Sequence, residues 1–424
     1  MQKYQIEMKI NRDYYLNKLI SRKNNGMVKV ITGLRRCGKS YLLFTLFKDY
    51  LLENGVDANH IIEIQFDDFA FKKYRKAQAA YDFVKEKIKD ERQYYILLDE
   101  VQLLEEFEDV LNGFLHIKNA DTYVTGSNAK FLSKDIITEF RGRGDEVHIN
   151  PLCFSEFMSV YDGTVENGWK EFSLYGGLPP VVLLESPEQK SQYLKNVFSK
   201  TYLADIIERN KIRNYDELDE LINILSSSIG SLTNPKKLAD TFLSVKKSKL
   251  SQETIKKYLE YLSDSFLINP SLRYDIKGKK YIETPLKYYF SDIGLRNARL
   301  NFRQLEETHT MENILYNELL KRGYNVDVGV VQISEKNNEG TNSRISYEID
   351  FVVNQGYKRY YIQSAFDIPD RQKMLQEERP FLNIKDSFKK IIIQKNCPAP
   401  YYTEEGILVM GIIDFLLDEK SLEK

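Results

Sequence analysis

Apolar positions along this chain come first as short β-branched runs, each followed by a longer segment with helical spacing. "MVKVITG" (27–33) reads as a buried strand, and "SYLLFTLFKDYLLENG" (40–55) repeats its apolar residues at helical intervals until Gly55. "RQYYILLDEVQ" (92–102) carries a second apolar run, Tyr94 to Leu98, that ends in Asp99-Glu100. "DTYVTGSNAK" (121–130) is a third, ending in the small polar residues Ser127 and Asn128. A helix closing on Arg141 and Arg143 then leads into the strand "DEVHINPL". Strands that alternate with helices predict an α/β fold built on a parallel sheet.

The texture changes further on. Residues 155–225 read as helical, with polar breaks at "YDGTVENG" and "ESPEQKS". Three more helices follow: "DELDELINILSSSIG", stopped by Gly230; "NPKKLADTFL", with Asn234 as cap and Pro235 in the first turn; and "SQETIKKYLEYLSDSFLI". "SLRYDIKGKKYIETPLKYYFSD" then alternates like a hairpin around Lys277-Gly278-Lys279. Three helices and a hairpin are the order of a winged helix-turn-helix. In the last third, "THTMENILYNELLKRGYNVDVG" reads as a helix and a strand. "SYEIDFVVNQGYKRYYIQSAF" reads as two strands turning at Asn354-Gln355-Gly356. A further helix and strands close a second sheet, and "SEKNNEGTNSR" (334–344) is the most loop-like stretch.

Composition narrows the class. The 424 residues are enough for two to four domains, and 42% hydrophobic with 29% charged residues suits a globular protein. No apolar run reaches bilayer length and the first residues lack an apolar leader, so a cytoplasmic protein without a membrane is expected. Three scattered cysteines fit a reducing compartment, and four histidines at no metal spacing argue against zinc catalysis. A net charge of −1 confines any polyanion contact to a local patch.

The chemistry concentrates in one loop. Gly33-x-x-x-x-Gly38-Lys39-Ser40 lies between a strand and a helix, the context a phosphate cradle needs. Backbone N–H groups at a helix N-terminus favour an anion, and the glycines allow close approach. The expected nucleotide contacts are Gly33, Leu34, Arg35, Arg36, Cys37, Gly38, Lys39, Ser40 and Tyr41. Lys39 would reach the β- and γ-phosphates, and Ser40 would place its hydroxyl on Mg²⁺. Asp99, after a second strand, would complete the Mg²⁺ shell, and Glu100 would polarise the attacking water. Ser127 and Asn128 are candidates for the γ-phosphate or that water. Arg143, and after it Arg141, are candidates to reach a γ-phosphate in the same chain or a neighbour.

These motifs, together with "FRGRGDEVHINPLCFSEF", resemble the AAA+ superfamily. More narrowly the chain is similar to prokaryotic AAA-type ATPases joined to a C-terminal domain of unknown function. "SLYGGLPPVVL" (173–183) and "KTYLADIIERNKIRN" (200–214) resemble the lid segment of that family, and Phe107 stands where it commonly has an aromatic. The resemblance implies a P-loop core over 1–155, a helical lid over 156–215, a winged helix-turn-helix over 216–300 and a restriction-endonuclease-like domain over 301–424. It implies ATP and Mg²⁺ as cofactors and a homo-oligomer as an expected partner state. Double-stranded DNA and a protein partner both stay open. Duplex contacts would fall on Lys246, Lys247, Lys256, Lys257 and Lys279.

The last domain resembles the PD-(D/E)xK fold, with Glu312 and Asp350 at metal positions. Gln363 stands where a second carboxylate belongs and Ala365 where the lysine belongs. A degenerate site is therefore expected. Three functions remain in view. They are ATP hydrolysis driving conformational change in the C-terminal half, a DNA-processing or defence effector with residual nuclease activity, and a slow nucleotide switch that binds proteins.

Overall fold

A computed structural model describes residues 9–126, 143–246, 250–336 and 342–424, without the side chains of 245, 246, 334–336 and 342–344. The chain divides into two compact units, Met1–Pro151 with Asp264–Phe266, and Leu152–Ser263 with Leu267–Lys424.

The first unit holds α1 (Asp13–Ser21), β1 (Val28–Gly33), α2 (Lys39–Tyr41) and α3 (Lys48–Glu53), the last two joined by π-helical turns over Leu42–Phe47. It continues with β2 (Ile61–Gln65), α4 (Ala77–Lys87), β3 (Tyr94–Asp99), α5 (Phe107–Leu115), β4 (Ala120–Thr125) and β5 (Gly144–Ile149). The sheet runs β2-β3-β4-β1-β5 with every pairing parallel. Parallel alignment puts all five C-terminal ends on one edge, where such sheets take their ligands.

The strand runs that read as apolar are buried throughout: all six residues of β1 and of β3 are inside. One face carries Val30, Ile64, Ile96 and Leu98, packed on Ala80 and Val84 of α4 and Leu111 and Phe114 of α5. Each large side chain so buried contributes about 1.5–3 kcal/mol of transfer free energy. Two polar residues lie inside β1, Thr32 and the charged Lys29. Its ammonium is bound by Asp121 of β4 and by the Met27 carbonyl at 2.9 Å. The Tyr123 hydroxyl donates to the same carboxylate at 2.9 Å. Burial lowers the Lys29 pKa against the pull of Asp121, and the pair closes the edge of the sheet away from the phosphate loop.

In the second unit, α6 (Phe154–Met158), α7 (Val165–Tyr175), α8 (Pro179–Val182), α9 (Pro187–Val197) and α10 (Ala204–Asn210) come first. Next come α11 (Tyr215–Ser227), α12 (Pro235–Lys246) and α13 (Gln252–Asp264), then the hairpin of β6 (Ile268–Asp275) and β7 (Lys280–Phe290). Thr233 bridges antiparallel to Leu286, tying the α11–α12 connection to the hairpin. The short α14 (Ile293–Arg299) is capped by Asp292, whose buried carboxylate also accepts from Gly177 N–H at 2.7 Å.

The unit ends with α15 (Glu307–Lys321), β8 (Asn325–Lys336), β9 (Asn342–Gln355), β10 (Lys358–Ala365), α16 (Arg371–Leu382), β11 (Lys389–Gln394), β12 (Tyr401–Tyr402), β13 (Leu408–Gly411) and α17 (Ile412–Leu417). The hairpin does not stand apart from these strands. β6 pairs parallel with β8, and one eight-stranded sheet runs β12-β13-β11-β10-β9-β8-β6-β7. The sheet therefore takes strands from both sides of residue 300.

Candidate functional site

The loop after β1 turns under the first residues of α2. Gly33 takes a φ of 141° and Gly38 a φ of 102°, both in the region that favours glycine. A Cβ on Gly33 would lie 2.2 Å from the Ile149 carbonyl oxygen at the end of β5. Only glycine lets the loop pass that strand. Arg36 holds a left-handed φ of 65°, an unusual conformation for a residue with a side chain. Arg35 and Arg36 are exposed, while Cys37 is buried and donates its Sγ–H to the Ile149 carbonyl at 3.4 Å. Lys39 is buried inside the loop, and its Nζ donates to the Gly33 carbonyl at 3.1 Å and the Leu34 carbonyl at 3.2 Å.

β4 separates β1 from β3, yet the ends of all three meet. The Ser40 hydroxyl donates to Asp99 Oδ1 at 3.0 Å. The Thr125 hydroxyl, at the end of β4, fills the gap by donating to the same oxygen. Thr125 Oγ1 also accepts Glu100 N–H at 3.0 Å. Burial raises the Asp99 pKa, while the Thr125 and Ser40 bonds pull it back. Glu100 takes a left-handed φ of 51°, and its carboxylate accepts from the Gln102 amide.

A hydroxyl and a carboxylate oxygen 3.0 Å apart beside a loop lysine fit the protein share of a Mg²⁺ shell. Mg²⁺ takes one or two protein ligands and completes its octahedron from phosphate and water. No group of three or more His, Cys, Asp or Glu side chains that could hold a metal ion occurs among the described residues.

The structure brings Gly33–Tyr41, Asp99 and Glu100 onto one edge of the sheet. Ser127, Asn128 and Arg141 lie outside the described residues. Arg143 is placed differently from the expectation of same-chain reach. It precedes β5, and its carbonyl accepts Val28 N–H at 2.9 Å, at the start of β1. Six residues of strand, roughly 18–20 Å, separate it from the Gly33 end. Parallel strands carry their two ends to opposite edges, so the backbone of this arginine sits at the edge opposite its own loop.

Thr125 was not singled out from the sequence. The signal available was one polar residue closing an apolar strand. Thr125→Val is expected to raise the Mg²⁺ concentration needed for half-maximal turnover and to lower turnover about tenfold. The variant frees Asp99 to swing and to protonate more readily. Titrating ATP turnover against Mg²⁺ checks this.

The second unit holds another charged cluster. Lys287 of β7 lies with its Nζ 2.8 Å from Glu312 Oε1, 2.8 Å from Glu348 Oε1 and 3.5 Å from Asp350 Oδ1. The Tyr289 hydroxyl donates to Glu312 Oε1 at 2.6 Å, and Asp350 Oδ2 accepts Ser364 N–H at 2.8 Å. Gln363 Oε1 accepts Asp350 N–H at 3.4 Å. Burial pushes the Asp350 carboxyl up to about 7 against the pull of Lys287, and Glu312 adds to the rise. Burial also opposes Glu312, but the charge of Lys287, the nearby His309 imidazole at 3.8 Å and the bonds from Lys287 and Tyr289 hold its carboxylate below the usual range. The sequence placed Glu312, Asp350 and Gln363 together but did not find Lys287. Its one clue was a lysine inside the apolar run "PLKYYF".

Of the lysines expected to meet DNA, Lys256 and Lys257 are exposed on α13 and Lys279 on the hairpin turn. Lys247 and the side chain of Lys246 lie outside the described residues. On α13 the two lysines are outnumbered by Glu253, Glu260 and Asp264, so that helix carries a slight net negative charge.

The fold and loop define a P-loop domain of the AAA class, and residues 25–158 match the AAA domain family. Residues 166–306 match a domain family of unknown function. The chain belongs to the family of an uncharacterized protein of Haemophilus influenzae, with 34% identity over 417 residues, 96% of this chain and 98% of that one. An uncharacterized protein of Methanocaldococcus jannaschii, MJ1544, is 28% identical over 96% of this chain and 88% of its own. Among solved structures, the Walker-type ATPase PABY2304 of Pyrococcus abyssi shares the fold. Its TM-score is 0.50 at 16% identity, covering 69% of this chain and 96% of that one. No helix among the described residues is long and apolar enough to cross a membrane.

Proposed function

We propose that this protein binds ATP with Mg²⁺ at Gly33–Tyr41 and hydrolyses it, and that the nucleotide state changes the conformation of the C-terminal half. The observation that carries the reading is the 3.0 Å contact between Ser40 and Asp99, across an intervening strand and beside Lys39. Chance pairing of a glycine loop and a strand-end acid would not bring the hydroxyl and carboxylate to one point. Bound Mg²⁺ would neutralise charge developing on the phosphates. Lys39 would leave the Gly33 and Leu34 carbonyls for phosphate oxygens, a charge-assisted exchange. Ser40 and Asp99 would hold the metal, Thr125 would orient Asp99, and Glu100 would accept a hydrogen bond from the attacking water. In this reading residues 156–215 act as lid, 216–300 as winged helix and 301–424 as a restriction-endonuclease-like domain. An arginine such as Arg143 would act only on a neighbouring subunit's nucleotide.

ATP turnover with Mg²⁺ tests the reading. Wild type is expected to hydrolyse ATP, and Glu100→Gln to bind it while losing about 10²–10⁴-fold in turnover, the range of a general base. Tight binding without wild-type turnover leaves the slow switch. Absence of binding removes the site. Adding duplex DNA decides the partner: stimulation that fades with salt supports contacts at Lys256, Lys257 and Lys279. The slight net negative charge of α13 argues for a protein partner.

Residual nuclease activity is the less favoured reading of the second cluster. Lys287 supplies an ammonium that Ala365 lacks, but its Nζ already fills the space among the carboxylates. Metal-dependent cutting lost in Asp350→Ala would establish it.

A further inference from the structure

Arg12 precedes the first helix and has no counterpart in the motif, yet it is only 3% exposed. Its Nη1 donates to the Cys37 carbonyl at 3.0 Å, and its Nη2 donates to the Asn150 carbonyl at 2.7 Å. Cys37 lies inside the phosphate loop and Asn150 just beyond β5, so one guanidinium ties the loop to the end of a strand. The surroundings hold the fork in place. The guanidinium lies 4.7 Å from the centre of the Tyr15 ring, and the Tyr15 hydroxyl accepts Asn150 N–H at 3.2 Å. The Cys37 thiol and the close pass of Gly33 add two further contacts between the loop and Ile149.

The carbonyl of residue 37 and the N–H of Gly38 belong to one peptide plane and point in opposite directions. Fastening the carbonyl to Arg12 therefore turns the Gly38 N–H away from the guanidinium. In a loop that binds phosphate through its amides, that orientation is part of the site. We infer that Arg12 is a positioning residue of the phosphate loop, setting the Cys37–Gly38 peptide so that its N–H serves the β-phosphate. The inference rests on the nucleotide reading above. Lysine cannot replace it, because one nitrogen does not present two donors in a planar fork.

The test compares ADP, which has a β-phosphate, with AMP, which does not. Affinities of wild type, Arg12→Gln and Arg12→Lys for both nucleotides are measured by calorimetry, below the melting temperature of each variant. Arg12→Gln is expected to weaken ADP about tenfold or more and AMP by less than about twofold, with Arg12→Lys between, at about threefold for ADP. A merely structural role would lower the melting temperature and leave the ADP-to-AMP ratio unmoved. If Arg12→Gln does not fold, Arg12→Lys, which keeps the buried cation, decides alone. ADP affinity equal to wild type in the folded variants overturns the inference and leaves the nucleotide site standing. Wild type that binds no ADP removes the site and the inference together.

Discussion

Lys39→Ala is expected to lower ATP turnover by about 10²–10³-fold, the usual loss when one preorganised donor to developing charge is removed. The reason is visible in the resting loop. The ammonium is buried and already sits inside the cradle, held by the Gly33 and Leu34 carbonyls at 3.1 and 3.2 Å. Neutral carbonyls are weaker partners than phosphate oxygens, so exchange is downhill when ATP arrives. Alanine removes the charge that would face the β- and γ-phosphates. ATP affinity should fall with turnover. Global stability should change little, because the two carbonyls lose only a net bond each, about 1 kcal/mol apiece. Steady-state turnover at saturating ATP, paired with a thermal melt, separates the two effects. Wild-type turnover in this variant would sink the phosphate-loop assignment.

The second large effect is expected in the other unit. Lys287→Met should destabilise it by about 3–5 kcal/mol, the cost of leaving buried carboxylates without their counter-ion. Glu312 and Asp350 are 8% and 12% exposed at the side chain and share this ammonium with Glu348. Trp169, the single tryptophan of the chain, lies in this unit. Its fluorescence during denaturation therefore reports on the unit that carries the change.

The loss should depend on pH, and the wild type sets the sign. The Asp350 pKa stands near 7 in the fold against 3.8 in the unfolded chain. Its contribution is full below 3.8 and fades as pH rises through about 7. Glu312 shifts the other way, from 4.5 downward. Its contribution is full above 4.5 and fades as pH falls through the lowered value. Both contributions are close to full only near pH 4, so these two groups make the unit most stable there and cost it stability as pH rises toward 7. Without Lys287 the carboxylates favour protonation more strongly, so the variant should lose most at pH 8. Equal loss at pH 5 and pH 8 would mean that the ammonium is not their main counter-ion.

How much of this was legible depends on sequence distance. Gly33, Gly38, Lys39 and Ser40 lie within eight residues, and a strand before them with a helix after them is a local pattern. Asp99-Glu100 was legible because an acid pair closes an apolar run. Thr125 was not, because a threonine at the end of a strand is ordinary until the order β3-β4-β1 sets it between Asp99 and the loop. Arg12 meets Cys37 across 25 positions and Asn150 across 138, and no periodicity records such a contact. Arg143 shows the converse. Its place in the sequence suggested the nucleotide, and strand direction carried it to the far edge.

By itself the sequence determined the elements and the phosphate loop, because burial periodicity, glycine conformations and a helix N-terminus are local properties of the chain. Only the tertiary structure decided which side chains share a point. Parallel pairing gathered Ser40, Asp99 and Thr125. A strand from the hairpin placed Lys287 among carboxylates of α15 and β9. Buried charges need partners, and the partner is chosen by the packing of distant segments.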